Sequence, residues 1–480
     1  MSQVTVRGLC ARCLIWFGLF AIYHKVLRHL IRGGLTLGYV IPAKVAPLYS
    51  NYAPPQVSLW LIPPCAILVA LLFVTRLRPR WLLGGSPAAV AVLATFCAFA
   101  PSVAMMDGYQ QTGHRLPWGP QGALPALLVP YAHKGHEYFG DVRKVDKIGG
   151  VRVYLGEYAG ARVQDSVSMH GGTHPPGAIL FLWAVSRPFD YSLWAGAIAT
   201  LLVSALGGAA GYALLRLVDP GAAAPGLLMW IVTPSVVLFT CTSMDAVFTA
   251  VLVAAMAAMY WSILGPAPSR PSRGTLAGVV VAAGLFLTYT TLVLGVLALI
   301  VLLLSWRFDR DRLPAMLSAG GWATASCATC YVLLYVFTGF DAIAAFRVAL
   351  VRNAALVGHL HGVGQYLHLT LAQVVAFLMG LGLPLAARWP SALRARLADL
   401  RLGSPDPGAV LAVGAAIAIP VFSALGLYRM EVERIWMFMV PLAIMPIART
   451  VTARPKMLLV IIALLGTQPI VAEALLDTRW

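Results

Sequence analysis

Charged side chains are scarce in this chain: only 11% of its 480 residues are Asp, Glu, Lys or Arg, against roughly a quarter in soluble domains. Hydrophobic residues make up 60% instead. This balance excludes a water-soluble globular protein, and it also excludes a disordered chain, because disordered chains are poor in apolar residues. The apolar residues form runs of about 17–25, which predict a polytopic helical membrane protein.

Acidic residues are the scarcer charged class, with 18 Asp and Glu against 35 Lys and Arg and a formal net charge of +17. A nucleic-acid-binding protein collects its basic groups on one water-facing surface. Here they lie between apolar runs, as in the cytoplasmic loops of membrane proteins. We therefore expect a bilayer, and no nucleic acid, as a partner.

Several motifs are missing. The chain has no G-x-x-x-x-G-K-[ST] loop, no G-x-G-x-x-G after a strand and no H-E-x-x-H pair, so ATP-driven transport within this chain and zincin-type proteolysis are not expected. Its two C-x-x-C pairs, Cys10/Cys13 and Cys327/Cys330, lie in apolar stretches without a nearby histidine. A zinc site needs about four such ligands, and we interpret these cysteines as small buried hydrophobes.

The apolar runs predict about twelve or thirteen transmembrane helices. The stretch 9–31 carries Arg12, Lys25 and Arg28, with Arg32 directly after it, and is either another span or an interfacial helix. The predicted spans are 57–76, 86–106, 191–216, 224–242, 245–263, 275–289, 290–306, 315–338, 366–387, 408–427, 434–448 and 457–475.

Five clusters of basic residues lie between these spans, and counting helices places all five on one side, which the positive-inside rule makes cytoplasmic. They are Arg76/Arg78/Arg80, Arg270/Arg273, Arg307/Arg310/Arg312, Arg388/Arg394/Arg396/Arg401 and Arg449/Arg454/Lys456. The opposite side receives the long segment 107–190 and shorter loops near 243–245, 339–365 and 428–433. Long loops in a compact architecture are usually functional or disordered, and the aromatic residues of 107–190 argue against disorder.

Two pieces of the long segment carry groups suited to catalysis. The first is Glu137-Tyr138-Phe139-Gly140-Asp141, followed by Arg143 and Lys144; the second is His170-Gly171-Gly172-Thr173-His174-Pro175-Pro176-Gly177. Paired prolines can open a helix, because the N–H groups they lack belong to its first turn. We expect His174 at the mouth of a helix on the membrane surface. The alternatives are a helix cap for His174, and for Asp141 a solvated acid or a partner of Arg143 or Lys144.

A loop carboxylate, a His-Pro-Pro helix start about thirty residues later and a span ending in a basic turn resemble the GT-C membrane glycosyltransferases. That family includes the protein O-mannosyltransferases and the lipid A aminoarabinose transferases, and the resemblance covers roughly residues 86–310. It implies transfer of a sugar from a polyprenyl-phosphate carrier on the extracytoplasmic face, with a loop carboxylate as base. The best-known members have an acidic pair directly after the preceding span. Here Asp107 follows that span alone, so the base is either Asp107 or Asp141, which we favour for its spacing to His174.

Two further positions on the same face carry charge at the start of a span. Asp245, in Thr242-Ser243-Met244-Asp245, is either a helix cap or part of the site. Arg434 follows Glu433 and precedes Trp436; its guanidinium suits a phosphate, and the alternative is an interfacial Glu–Arg pair. Similar transferases place a late arginine against the carrier phosphate, so Arg434 is the leading candidate for that role.

The sequence thus predicts an all-α GT-C-like membrane protein in the inner (plasma) membrane, with short juxtamembrane helices in the catalytic loop. Its regions are an N-terminal membrane segment 1–85, a core 86–310 and C-terminal helices 311–480. The predicted activity is inverting transfer to a lipid, glycan or protein acceptor; the alternatives are a secondary transporter or flippase, or a non-catalytic scaffold. No cofactor is required, although a divalent metal ion in the loop stays an open alternative. The predicted catalytic residues are Asp141, Asp107, Glu137 and His174, and the predicted substrate-binding residues are Arg434, Glu433, His170, Lys144, Arg143 and Asp245.

Overall fold

The computed structural model describes residues 5–33, 35, 45–48, 50–52, 59–77, 86–108, 138–241, 243–357, 362–401, 405–428 and 431–477. Glu137 lies outside these residues. The backbone of Asp107 belongs to the last turn of a helix, and its side chain lies outside the description.

The described chain is helical nearly throughout, as predicted. The helices before the long segment are α1 Val6–Arg32, α2 Ile62–Leu77 and α3 Ser86–Gly108. Those within it are α4 Val142–Ile148, α5 Val151–Gly156, α6 Ala161–Gln164, α7 Met169–Thr173 and α8 Gly177–Ser186. Next come α9 Leu193–Val218, α10 Pro220–Trp230, α11 Pro234–Thr240, α12 Asp245–Leu264, α13 Arg270–Leu287, α14 Leu292–Phe308 and α15 Leu313–Thr338. The last are α16 Ala342–Val357, α17 Val363–Leu381, α18 Leu383–Asp399, α19 Pro407–Ala424, α20 Val432–Ile435, α21 Val440–Val451 and α22 Pro455–Leu475.

Besides the helices, the chain forms short 3-10 turns and two short strands. Single turns of 3-10 helix include Tyr138–Asp141, Tyr289–Thr291 and Trp436–Met439, and the last of these joins α20 to α21. Two strands of two residues each, β1 Asn51–Tyr52 and β2 Leu476–Asp477, pair antiparallel and tie the segment before α2 to the end of α22.

Eleven helices in the described residues are long and apolar enough to cross a membrane, or twelve if one bent pair counts as a span. The bent pair is α10 and α11, whose axes differ by 54°. The predicted span 275–289 corresponds to α13, which has two arginines in its first turn, Arg270 and Arg273, and is not among these eleven helices. The stretch left open near the N-terminus forms α1, which has the length of a span and packs along α18.

The bundle has two chemically different ends. At one end, which we call the basic end, the turn after α9 meets α18, the segment before α19 and the end of α21 through Asp219, Arg396, Asp406 and Arg449. At the other end, which we call the site end, the segment before α12 meets the start of α20 through Asp245 and Arg434.

Two boundaries differ from the prediction. The predicted loop 339–365 contains a helix, α16. The predicted span 366–387 breaks at Gly382 into α17 and α18, because Pro384 in the first turn of α18 lacks the N–H that would continue the preceding helix.

Small side chains bring the central helices together. The buried face of α9 repeats small residues at helical spacing, among them Gly196, Thr200, Ser204 and Gly211, and this helix packs along α10 and α12. Such residues let helix backbones approach closely, which favours packing where lipid removes the hydrophobic driving force between helices. Larger side chains fill the space below the site end, where Trp436 contacts Phe377, Phe422 and Tyr428.

Candidate functional site

A cavity of about 340 Å³ lies at the site end, among the long segment, α12, α14, α16 and the start of α20. Its polar lining comprises Tyr138, His170, Thr173, His174, Ser243, Asp245, Tyr289, Thr290, Asn353, Tyr428, Glu431 and Arg434. The remaining lining is mainly apolar and includes Met169, Phe248, Leu292, Val293, Val296, Phe346, Leu350 and Leu427. Four of the residues predicted for the site, His170, His174, Asp245 and Arg434, therefore share one cavity.

Arg434 is the buried cation of this cavity. Its Nε lies 2.7 Å from Oδ2 of Asp245, and its Nη2 donates to Oε2 of Glu431 at 2.9 Å. Ser243 supports the pair, since its Oγ donates to the same Asp245 oxygen at 2.9 Å. Two carboxylates from separate elements thus fix one guanidinium at the wall of the cavity. Asp245 serves the site as well as beginning α12, while Glu431 was not among the predicted residues.

His174 lies near the arginine, and the His170 ring lies next to the His174 ring, with centroids 6.3 Å apart. The His174 ring stacks near Phe248, with centroids 6.0 Å apart, and meets the Tyr138 ring edge-on at 5.6 Å. Burial, and next the positive charge of Arg434, lower the pKa of His174 to about 4. The imidazole is therefore neutral at physiological pH. Its buried Nδ1 has no hydrogen-bond partner within the described ranges, so His174 offers a neutral polar group at the cavity.

Tyr158 contacts the backbone of residues 170–174, which we call the histidine segment. Its buried hydroxyl lies within hydrogen-bond distance of the carbonyl oxygens of Gly171 and His174, at 2.5 and 2.6 Å, and can donate its single proton to either. Arg352 of α16 also contacts the histidine segment. Its Nη1 donates to the side-chain oxygen of Gln164 at 3.1 Å. Its guanidinium lies against Gly172, where an added Cβ would be 2.4 Å from Cζ of Arg352. The position of the histidines thus depends on packing between distant parts of the chain.

The prolines and glycine after His174 start a helix, as the sequence predicts. Pro176 is the N-cap of α8. Gly177, the first residue of α8, lies so close to α13 that an added Cβ would be 2.2 Å from the carbonyl oxygen of Phe286. The Pro-Pro-Gly sequence therefore both opens the helix and lets it pack on a neighbouring helix.

Asp141, the favoured base, lies behind the histidine segment rather than in the cavity lining. Its side chain is 1% exposed; Oδ1 is 2.7 Å from Nζ of Lys144, and Oδ2 accepts the backbone N–H of Ser168 at 2.8 Å. Both oxygens are engaged, and Ser168 in turn caps α7 through its side chain. In this arrangement Asp141 and Lys144 position α7, which carries His170.

Two other predicted residues also stay outside the cavity lining. Arg143 is largely exposed and lies over the Tyr191 ring, 4.8 Å from its centroid. Glu433 is buried and packs beside Gly380 of α17. Arg434 therefore lines the cavity and Glu433 does not, and in the cavity Arg434 pairs with Asp245 and Glu431.

The prediction missed the wall that α16 contributes. Phe346, Ala349, Leu350 and Asn353 line the cavity, and their spacing of i, i+3, i+4 and i+7 is that of one helix face. This periodicity was the available signal.

The lining of the cavity contains one arginine, Arg434, and two carboxylates, Asp245 and Glu431. Burial raises the pKa of the Glu431 carboxyl; the Arg434 charge opposes this shift and the Asp245 charge adds to it. Burial also raises the pKa of the Tyr428 hydroxyl, so this phenol stays protonated and can donate. Within the part of the chain that the structure describes, no three His, Cys, Asp or Glu side chains are grouped so that they could hold a metal ion.

The rim of the cavity is apolar. Met169, Leu292, Leu350 and Leu427 line it and are also among the exposed large hydrophobic residues. In a bilayer, such residues face lipid or the headgroup boundary. The cavity thus combines a buried polar floor with an apolar edge, as an amphiphilic ligand requires.

Comparisons with known proteins add no relative. No protein-family model matches the chain, and no curated protein matches it significantly in sequence. The fold is that of a polytopic helical protein with apolar helices suited to a membrane.

Proposed function

We propose that the protein is an integral membrane glycosyltransferase of the GT-C type, which transfers a sugar from a polyprenyl-phosphate carrier to an extracytoplasmic lipid, glycan or protein acceptor. The observation that carries the proposal is the placement of buried Arg434 in a cavity with an apolar rim. A polyprenyl-phosphate sugar needs this combination: a cation for its phosphate, polar groups for its sugar and an apolar path for its chain.

Arg434 is assigned to the donor phosphate. A guanidinium offers planar, directional donors to phosphate oxygens and is less strongly hydrated than an ammonium. Asp245 and Glu431 fix its orientation before the donor binds, which lowers the cost of ordering it. The neutral His174, with Tyr138 and His170 around it, is assigned to the sugar and its acceptor.

The proposed reaction is a single displacement. The acceptor hydroxyl oxygen attacks the anomeric carbon, the bond from that carbon to the phosphate oxygen breaks, and the phosphate leaves with the electron pair. A carboxylate takes the hydroxyl proton. Because the leaving phosphate is already a stable anion, charge stabilisation by Arg434 can replace a general acid.

The proposed base is Asp107, at the end of α3. Both oxygens of Asp141 are engaged away from the cavity, and Asp245 is paired with Arg434. Asp107 also follows the span directly, as the first acid of the family motif does. Positioned general-base help is typically worth about 10²–10⁴-fold, and we expect a loss in that range for Asp107→Asn.

The test uses the full chain, purified into nanodiscs and supplied with a panel of polyprenyl-phosphate sugars and envelope acceptors. Release of polyprenyl phosphate with formation of a new glycoside is the expected result. Asp141→Asn serves as the matched control: its transfer activity should fall only as far as the amount of folded protein falls. Full activity of Asp107→Asn would contradict the assignment of the base, and consumption of no donor in the panel would contradict the function.

One observation favours a second candidate, a secondary transporter or lipid flippase. The bent pair α10–α11 leads directly toward Ser243 and Asp245 at the cavity, and broken helices often form transporter sites. Proteoliposomes distinguish the two functions: a substrate that crosses the bilayer without covalent transfer would support transport instead.

A further inference from the structure

A third buried arginine, Arg388 of α18, lies at the basic end, away from the cavity. Its residue is 4% exposed. Only Nη2 has a hydrogen bond, a donation to Oγ1 of Thr450 at 3.1 Å, while Nε and Nη1 have no partner within the described residues. A buried cation is costly unless it is paired and hydrogen-bonded, so this guanidinium lacks the partner that its burial requires.

The surroundings of Arg388 add positive charge. Burial, and next the charges of Arg454 and Arg12, lower the pKa of Arg388. Arg12 comes from α1, which packs along α18, and Arg454 from the turn between α21 and α22. Both are partly exposed, so the cluster reaches from the buried Arg388 to the surface.

The acids of this end are committed elsewhere. Asp219, Asp399 and Asp406 all pair with Arg396, and Asp219 and Asp406 also pair with Arg449. Where the chain is described, no carboxylate forms an ion pair with Arg388, Arg12 or Arg454. Arg388 therefore has two buried nitrogens without a hydrogen-bond partner among the described residues, and two arginines from other elements add positive charge near it.

We propose that Arg388, Arg12 and Arg454 form a binding site for a phosphate group, carried by an anionic phospholipid headgroup or by free inorganic phosphate. Guanidiniums bind phosphate oxygens with directional, charge-assisted hydrogen bonds. Basic pockets between transmembrane helices are a known form of lipid headgroup site. The anion would stabilise the contact of α1 with α18 and the α21–α22 turn.

Native mass spectrometry of the full chain tests the lipid source. The protein is exchanged into mixed phosphatidylglycerol and phosphatidylcholine, and retained lipid is counted. We expect retention of phosphatidylglycerol over phosphatidylcholine, and a drop of about fivefold or more in Arg388→Gln, since one arginine near a lipid surface is worth about fivefold in affinity. Arg394→Gln, an exposed arginine on the same helix, is the matched control and should change retention less than about twofold.

Nanodiscs of phosphatidylcholine alone test the free anion. The unfolding temperature of the wild type should then be higher in inorganic phosphate than in chloride at equal ionic strength. Arg388→Gln should remove this difference. If Arg388→Gln does not fold, Arg454→Gln and Arg12→Gln replace it, because both residues are partly exposed. Equal retention of both lipids together with no effect of phosphate would overturn the site, and so would an equal loss in Arg394→Gln, which would show only diffuse attraction.

Discussion

Two buried arginines at opposite ends of the bundle have similar partners and different surroundings. Arg396 at the basic end pairs with Asp219 and lies 3.2 Å from Asp406. Arg434 at the site end pairs with Asp245 and Glu431. Neither Arg396 nor Asp219 lines the cavity described above, whereas Arg434, Asp245 and Glu431 all do. A buried ion pair therefore does not by itself indicate function; an adjoining cavity distinguishes the two.

The basic-end network has the properties of a structural tie. It joins the end of α9, α18, the segment before α19 and α21, which are far apart in sequence. Removing one partner of a buried pair is costly because the other charge is left uncompensated. The site-end network instead holds one cation at a cavity wall. Loss of that cation should therefore affect ligand binding and turnover more than the stability of the fold.

The largest effect is expected from Asp219→Asn. It removes the carboxylate shared by Arg396 and Arg449 and should lower the free energy of unfolding by about 3 kcal/mol, the low end for broken buried pairs because Asp406 still contacts both arginines. Thermal unfolding in nanodiscs measures it.

Asp399→Asn is the control for that loss. Asp399 lies 3.6 Å from Arg396 but is 40% exposed, so its replacement should cost less than about 1 kcal/mol. If both variants lost the same free energy of unfolding, the buried basic-end network would contribute no more to stability than an ordinary surface ion pair.

Arg434→Gln should have the next largest effect, on activity. Loss of a charge-stabilising donor typically lowers turnover about 10²–10³-fold, and we expect this for sugar transfer per folded molecule. Arg434→Lys, which keeps the charge and loses the planar donor array, should be intermediate. If Arg434→Gln lowers stability as Asp219→Asn does and leaves turnover per folded molecule unchanged, the two arginines have the same structural role.

Much of this comparison was accessible from the sequence, and the part that was not has a physical reason. Hydropathy predicted the helices, and the basic clusters predicted that Arg434 and His174 lie on the same side. Both predictions follow from a chain that crosses the bilayer repeatedly and so alternates between its two sides. The pairing of Arg434 with Glu431 and Asp245 depends on local backbone: Glu431 has a positive φ of 63°, which turns it toward the cavity while Glu433 packs away. The position of Asp141 depends on the backbone N–H of Ser168, which no pattern of side chains indicates.

A smaller effect is expected from Gly177→Ala, which tests whether the histidine segment is held by close packing. The added Cβ would meet the backbone of Phe286, and overpacking of this kind typically costs about 1–3 kcal/mol. Transfer activity should fall with it because His174 lies only three residues before α8. Gly295→Ala on α14, where a Cβ meets nothing within 4 Å, is the control and should be neutral or slightly stabilising. Equal behaviour of both variants would show that α8 can move away from α13 at no cost.

The effect that is smallest near neutral pH, and that grows as the pH falls, is a dependence of stability on pH at the site end. The pKa of His174 is about 4 in the folded protein against an ordinary value of 6.5, so between these values the unfolded chain binds the proton and the folded chain does not. Stability should therefore fall as pH drops from 6.5 toward 4 and level off below. The raised pKa of Glu431 acts in the opposite direction, so the histidine contribution is isolated by comparing wild type with His174→Asn, in which the slope should decrease. Asp219→Asn should keep the wild-type slope, because Asp219 does not line the cavity that contains His174. An unchanged slope in His174→Asn would mean that the imidazole is already solvated in the folded protein and that the cavity is wetter than its lining implies.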